Sequence, residues 1–267
     1  MKKLFVVVML ASLALAVAAS SEDWASLSKA MNASCTKFTA EVKDLTVTME
    51  MTNRSSEGTL ATRSTLFEKG GKFRADVEMK EVPGGGEMAE AMVGMKTIVI
   101  SDGANVWMMN PMAGKVQLPA DQAGQYRGQW HCKDYIPQNA EIVGSEVVNG
   151  RDCFVLAVKD EKSDYAKLWV EKKNYQLARL EGKPQLGETM IASFSDFRKV
   201  AGGWEFPYKT EVYSGTAIAS TVTVKSIEVN KGLKDDLFNA DKVDGKAPDM
   251  QDMIKKMKDK MKAGGGQ

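Results

Sequence analysis

TIVISDGANVWMMNPMAGKV, residues 97–116, is the stretch that decides the fold. Asp102-Gly103 joins two apolar runs, and it predicts a hairpin turn because a glycine adopts positive φ without a steric penalty. A second turn is predicted at NPMAG, residues 110–114. The stretch should therefore be an antiparallel meander of three short strands that forms one wall of an apolar cavity. The meander would bring four side chains close together: Trp107, Met108, Met109 and Met112.

Apolar and polar residues alternate on both sides of this meander, as in LTVTMEM at 45–51 and FRADVEM at 73–79. Asn149-Gly150 is a strong hairpin signal. One helix is predicted over residues 21–33, capped by Ser20 or Ser21. About a dozen hairpin-connected strands are expected in addition. Besides the meander, they are predicted at residues 38–51, 59–69, 73–79, 141–148, 151–159, 166–171, 175–181, 188–197, 204–213 and 217–230.

Three further segments lack a strand pattern. Residues 83–95 begin with PGGG and carry methionines at helical spacing, which fits a core helix or a movable flap, and the glycine flanks favour the flap. Residues 119–139 are read as a helix or an irregular crossover. Residues 250–261 form a basic, methionine-rich amphipathic helix, for which membrane or partner binding and a solvent-exposed tail both stay open.

The first residues predict the compartment. Lys2 and Lys3 precede an apolar run at 4–15 and small residues at 16–18, the pattern of a cleavable secretory signal peptide, with an uncleaved membrane anchor as the minor alternative. The mature protein is expected to be soluble, because no cysteine directly follows the apolar run to carry a lipid. The short, lysine-started signal is typical of bacteria and suggests the periplasm of a Gram-negative cell. The expected organisation is a signal peptide at 1–19, one β domain at 20–240, and a linker with a helical tail at 241–267.

Charge and motifs argue against several function classes. Without Lys2 and Lys3 the 36 basic residues become 34, against 35 acidic residues, so no basic field is available to attract nucleic acid. The sequence has no nucleophile motif, no phosphate-binding loop and no convincing pair of carboxylates, and His131 is its single histidine. We therefore expect neither an enzyme nor a metal or cofactor site.

Three cysteines remain to be placed: Cys35, Cys132 and Cys153. In an oxidising compartment one pair can form and one thiol is left over. Cys132 with Cys153 is the favoured pair, which would tie a connector to a strand. His131 beside Cys132 could support a thiolate, but a structural cysteine is the favoured interpretation.

Four segments also carry a family resemblance. They are the SDG…W…NP pattern at 97–116, FEKGGKFRA at 67–75, residues 150–182, and residues 203–238 with FPYKTEVYSG and KSIEVNKGLKDDLF. With these segments the chain resembles the LolA-like superfamily of periplasmic outer-membrane lipoprotein carriers. Lys69 stands where the family has an arginine that helps hold a lid shut, and Gly70 follows where the family has a proline, so the resemblance is to the superfamily rather than to a strict LolA orthologue. Lysine keeps the charge but lacks the planar fork of donors.

The resemblance implies a mainly β fold, an incomplete antiparallel β-barrel of about 11–13 strands with an N-terminal helix and short helical lid segments. It also implies an apolar cavity for acyl chains, and Phe73 matches a cavity phenylalanine of the family. Methionine-rich strand faces suit such a cavity, because methionine moulds to irregular apolar ligands.

The leading functional hypothesis is a monomeric periplasmic carrier that binds lipoprotein acyl chains or another lipid and exchanges them with membrane-bound donor and acceptor proteins. The alternative is an envelope sensor or protein-interaction module on the same fold. The predicted ligand-binding residues are Leu45, Val47, Met49, Phe73, Val77, Trp107 and Met109. Their inward orientation depends on strand register, because a shift of one residue reverses the face.

Overall fold

The computed structural model describes residues 23–56, 58–80, 92–111, 113–119, 135–184, 188–200 and 204–243. These residues form an N-terminal helix, thirteen strands of one sheet and two short 3-10 helices at the C-terminal end. The elements are α1 (Trp24–Glu41), β1 (Asp44–Ser55), β2 (Gly58–Lys69), β3 (Lys72–Lys80), β4 (Lys96–Ser101), β5 (Val106–Asn110), β6 (Gly114–Leu118), β7 (Ala140–Val148), β8 (Arg151–Val158), β9 (Tyr165–Glu171), β10 (Leu177–Gly182), β11 (Met190–Lys199), β12 (Glu205–Ser214), β13 (Ala217–Val229) and the 3-10 helices Asp235–Phe238 and Ala240–Lys242.

All thirteen strands form one antiparallel sheet in the order β6-β5-β4-β3-β2-β1-β13-β12-β11-β10-β9-β8-β7. The first six strands lie side by side in chain order, and the last seven return from the opposite edge so that β13 pairs with β1. Among the described strands, the edges β6 and β7 do not pair with each other, so the sheet is not closed. This confirms the predicted fold, a mainly β chain with an incomplete antiparallel barrel and an N-terminal helix.

The predicted turns form where the sequence requires positive φ. The meander consists of β4, β5 and β6, and Gly103 in its first turn has φ +99°. Asn149 and Gly150 join β7 to β8 with φ values of 51° and 78°. Both central residues of a type I′ hairpin turn need positive φ, which explains why this dipeptide ends one strand and starts the next.

The N-terminal helix differs from its prediction. It begins after Asp23, whose carboxylate accepts a hydrogen bond from the Ser26 N–H at 2.8 Å, and not after Ser20 or Ser21. It also continues to Glu41, whereas a strand was predicted from residue 38. The reason is that the buried stripe of Leu27 and Met31 extends through Cys35, one turn at a time, and keeps the helix packed on the sheet.

The sheet has two differently covered faces. The inner face lies towards α1, and Leu27 and Met31 pack there against β8 and β9 residues such as Phe154 and Leu168. On the outer face, the C-terminal 3-10 segment places Ala240 against Ile100 and Met109. Phe238 in the same segment is only 1% exposed. The C-terminal segment therefore covers part of the outer face.

The predicted cysteine pairing is wrong. Cys153 is a free thiol and is fully buried in β8, whereas Cys35 in α1 is disulfide-bonded. Cys153 packs among Val148, Trp169 and Ala178 on the outer face, so it fills a core position there. Cys132 lies outside the described residues.

Several predictions fall where the structure is not described. They concern the signal peptide at 1–19, most of the flap at 83–95, most of the connector at 119–139 with His131, and the tail helix at 250–261. Among the described residues, none of the helices is long and apolar enough to cross a membrane.

Candidate functional site

An apolar cavity of about 460 Å³ lies between α1 and the inner face of the sheet. Its walls come from α1 between Met31 and Phe38, from strands β1–β3 and β10–β13, and from short connecting segments. The lining residues are Met31, Ser34, Cys35, Phe38, Met49, Met51, Ser64, Leu66, Ala75, Val77, Tyr135, Ile136, Asn174, Tyr175, Gln176, Leu177, Phe194, Phe197, Trp204, Glu205, Phe206, Pro207, Thr210, Val222 and Val224. Most of these side chains are aliphatic, aromatic or methionine, which is the composition of a ligand site.

Strand alternation builds the sheet wall of the cavity. Met49, Ser64 and Val77 lie directly across from one another on β1, β2 and β3. On the other side of β1, Met51 pairs with Val222 of β13, which in turn pairs with Thr210 of β12. Because side chains of a strand alternate between faces, these rows present one continuous, mainly apolar surface to the cavity, in which Ser64 and Thr210 are the polar members.

Aromatic side chains close the helix side of the cavity. The ring of Phe38 in α1 lies 5.3 Å from that of Trp204 in an edge-to-face arrangement, and 5.5 Å from that of Phe206. The indole N–H of Trp204 donates a hydrogen bond to Glu41 at 2.9 Å, which fixes the ring against the end of the helix. Such aromatic contacts stabilise the packing beyond the area they bury.

The structure brings part of the predicted ligand-binding set to this cavity. Met49 and Val77 line it. Leu45 and Val47 lie on the same face and form a core beside it with Leu66, so they support the wall. Phe73 also lies on the inner face, but it is only 3% exposed and packs with Val99 beyond the lining residues.

Trp107 and Met109 lie on the outer face. In β5, Met108 pairs with Val99 and joins the inner-face cluster, and its two neighbours therefore point the other way. Trp107 and Met109 pack instead with Ile100 and the C-terminal segment. Each of the four side chains of VWMM is apolar enough for a core, and for this reason their alternation does not reveal which face is which.

Lys69 lies at the end of β2, where it contacts the C-terminal segment. Its ammonium donates a hydrogen bond to the Leu233 carbonyl at 2.6 Å and lies 3.4 Å from the Asp235 carboxylate. Lys72 also pairs with Asp235. The hydrogen bond from Lys72 is the main cause, and the charge of Lys69 the second, that holds the pKa of the Asp235 carboxyl below its usual value. Lys69 therefore joins the β2–β3 hairpin to the chain that follows β13.

A partly buried ion cluster extends from Glu205 in the cavity lining to Arg151 and Glu171, which lie on the same sheet face as Cys153 and Trp169. The Arg151 guanidinium pairs with Glu171 through Nη1 and with Glu205 through Nη2 at 2.8 Å. Its carbon lies 3.7 Å from the centre of the Phe197 ring, and Phe197 and Glu205 both line the cavity. The cluster joins β8 and β9 to β12, across a region where β10 and β11 share only a short pairing.

Sequence reasoning missed the aromatic part of the lining. Phe38 follows Leu27, Met31 and Cys35 at helical spacing, so a longer helix could have been read from the stripe. Phe206 and Thr210 have the spacing of one strand face in β12, but the approach of Phe206 to Phe38 of α1 is a long-range contact that local patterns do not predict. Among the described residues, no group of three or more His, Cys, Asp or Glu side chains could hold a metal ion.

Comparisons with known proteins agree with this architecture. A model of a family described as uncharacterized proteins matches residues 93–244, which is more than half of the chain. No curated protein gives a significant match to the sequence. One similar solved structure is a domain from Vibrio parahaemolyticus with a provisional assignment as an outer membrane lipoprotein-sorting protein. Its TM-score is 0.55 at 17% identity, and the match covers 80% of this chain and 98% of that domain.

Two further solved structures are similar. A DUF1329 family protein from Desulfovibrio piger has a TM-score of 0.58 at 15% identity, over 82% of this chain and 96% of its own. A LolA superfamily protein from Nitrosomonas europaea has a TM-score of 0.50 at 16% identity, over 84% of this chain and all of its own. At these identities the similarity shows the fold, which is the LolA-like half-barrel expected from the sequence resemblance.

Proposed function

The chain belongs to the family of uncharacterized proteins whose model spans residues 93–244, and we propose that it is a non-enzymatic periplasmic carrier. Its ligand would be an acyl chain of a lipoprotein or of another lipid, held between α1 and the sheet. No resident cofactor is needed for this role. The observation that carries the proposal is the cavity itself, a space of about 460 Å³ with a largely aliphatic and aromatic lining.

Burial of methylene groups would supply the affinity. Each buried CH₂ contributes about 0.8 kcal/mol, so ten of them contribute about 8 kcal/mol before the costs of binding are subtracted. A net binding free energy of about 8 kcal/mol, which is a Kd of about 1 μM, would therefore need further buried groups to offset those costs. Carrier activity needs such reversible affinity, since a ligand that is bound too tightly is not released.

Two observations support an extracytoplasmic location. The first residues have the pattern of a secretory signal peptide, and Cys35 is disulfide-bonded. Structural disulfides persist in oxidising compartments such as the periplasm. The proposed route is export, folding with the disulfide, and movement of a lipid ligand between membrane-bound donors and acceptors.

A vesicle transfer assay tests the carrier function. Donor vesicles contain a self-quenched fluorescent acyl lipid, acceptor vesicles contain none, and the mature protein is added at increasing concentration. A carrier should raise the rate of transfer in proportion to its concentration. A transfer rate equal to the spontaneous rate at all protein concentrations would refute carrier activity.

A second candidate function is a protein-interaction module on the same fold. The edge strand β7 favours it, because Val143 and Val147 are 52% and 67% exposed there. An exposed edge strand can accept a strand from another protein. If this function applies, Val147→Lys should abolish crosslinking to a partner in a periplasmic extract, while lipid transfer stays at the wild-type rate.

A further inference from the structure

We infer that the cavity selects acyl ligands whose head groups are uncharged and donate hydrogen bonds, and that it discriminates against carboxylate anions such as free fatty acids. This inference rests on the proposed lipid-binding function and adds a head-group class to it. It is carried by the charges and hydrogen bonds of the described lining residues.

Glu205 is the one charged side chain among the described residues of the lining. It is partly exposed, and one of its carboxylate oxygens accepts a hydrogen bond from Arg151. A ligand carboxylate placed at the same wall would meet this negative charge at short range. In a partly buried site, repulsion between like charges is much stronger than in bulk water.

Arg151 does not compensate for this charge. One guanidinium serves two carboxylates, because it pairs with Glu171 as well as with Glu205. Its face also lies on the Phe197 ring at 3.7 Å. The three ionised side chains together therefore carry one net negative charge beside the cavity.

Lys199, opposite Glu205 in the β11–β12 pairing, is exposed to solvent. Two other cations, which stack on aromatic rings near the lining, have acidic partners. Lys37 lies 5.9 Å from the centre of the Trp204 ring, but it pairs with Glu41 at 4.0 Å and is 70% exposed. Arg198 lies above Tyr208 and forms an ion pair with Asp196 at 2.6 Å. Neither is among the residues that line the cavity, so neither offers a dry binding site for an anion.

Polar groups in the connecting segment donate hydrogen bonds within the wall. The Gln176 side-chain amide donates to the Glu205 carbonyl at 2.6 Å, and the Asn174 amide donates to the Gln176 side-chain oxygen at 3.1 Å. The Ser34 hydroxyl donates to the Asn174 carbonyl at 3.5 Å. With these side-chain amides engaged with one another, the Glu205 carboxylate is the acceptor that this part of the wall offers, and a head group with hydroxyl or amide donors complements it.

A pair of probes with the same chain tests the inference. Monohexadecanoylglycerol has an uncharged, hydroxyl-bearing head, and hexadecanoate has a carboxylate. Each is titrated at pH 7.5, below its aggregation limit, against a fluorescent acyl reporter bound to the full mature protein. We expect monohexadecanoylglycerol to displace the reporter with at least about tenfold higher affinity. Equal affinity, or tighter binding of hexadecanoate, would overturn the inference and leave the carrier proposal intact.

A charge-removing variant tests the part played by Glu205. Glu205→Gln should reduce the preference for the neutral probe to threefold or less by tightening the binding of hexadecanoate. The matched control is Glu211→Gln, on the same strand but outside the lining, where the carboxylate pairs with Lys209 at 2.8 Å. This control should keep the wild-type preference. An unchanged preference in Glu205→Gln would contradict the assigned cause, and failure of both probes to bind the wild type would instead reject lipid binding.

Discussion

Replacing Val222 with glutamate should weaken acyl-chain binding roughly a hundredfold, whereas the same replacement of Thr223 should have little effect. The two residues are neighbours in β13 and have side chains of nearly the same shape. Val222 lines the cavity between Met51 and Thr210. Thr223 points to the other face, where Glu50 and Lys209 lie opposite it.

The expected magnitude follows from the position of Val222. A carboxylate there must stay hydrated, so it keeps water in the centre of the apolar wall. If the ligand loses contact for about three to four methylenes at about 0.8 kcal/mol each, the binding free energy falls by about 3 kcal/mol. This change lowers affinity roughly a hundredfold.

Titration of a fluorescent acyl probe into the two variants and the wild type measures this difference. Thermal unfolding should show that both variants fold, since each changed side chain is half-buried and borders either the open cavity or the outer surface. We expect Thr223→Glu to bind within threefold of the wild type. If Val222→Glu binds as tightly as Thr223→Glu while both are folded, the cavity between α1 and β13 is not the ligand site.

Three other predictions concern stability and covalent state. Burial, followed by the charge of Glu171, raises the pKa of the Cys153 thiol from 9.0 to about 11. Between pH 9 and 11 the folded state therefore keeps a proton on Cys153 that the unfolded chain releases. The free energy of unfolding, measured in urea, should fall by up to about 1.4 kcal/mol per pH unit over this range. In Cys153→Ala this contribution to the pH dependence should be absent. Arg151→Met should lower the free energy of unfolding in urea by about 3–5 kcal/mol, because two carboxylates lose their partner, whereas the matched surface change Arg179→Met should cost at most about 1 kcal/mol. In alkylation with mass spectrometry, Cys153 should react only after unfolding and Cys35 only after reduction, and recovery of a crosslinked peptide that contains Cys153 would contradict this assignment.

Local sequence signals account for most of the sheet. The meander from β4 to β6 and the hairpin at Asn149 form as predicted, because each turn has residues that tolerate positive φ and each strand is bounded by such a turn. Antiparallel strands joined by short turns mostly pair with their chain neighbours, so strand order followed from the same signals. The pairing of β1 with β13 brings the first and last strands together and is the long-range contact of the sheet.

The site was less predictable because its parts come from distant segments. Local composition predicts Trp107 as a cavity residue. It lies instead on the outer face, where the C-terminal segment with Ala240 covers it. Phe38 meets Trp204 and Phe206 only after α1 crosses the sheet. Arg151 likewise finds Glu205 across the fold rather than along the chain. Periodicity gives the face of a strand relative to its own neighbours, but tertiary contacts decide which face encloses the ligand.

Native mass spectrometry of the mature protein, purified from the periplasm without detergent, tests the central claim most directly. The account predicts a bound mass above that of the polypeptide, which is released by organic solvent and identified as a lipid or an acylated peptide. It also predicts that Val222→Glu, purified in the same way, carries no such mass. A wild-type protein that shows only the polypeptide mass, and still does so after incubation with lipid vesicles, would contradict the assignment of this cavity to acyl-chain transport.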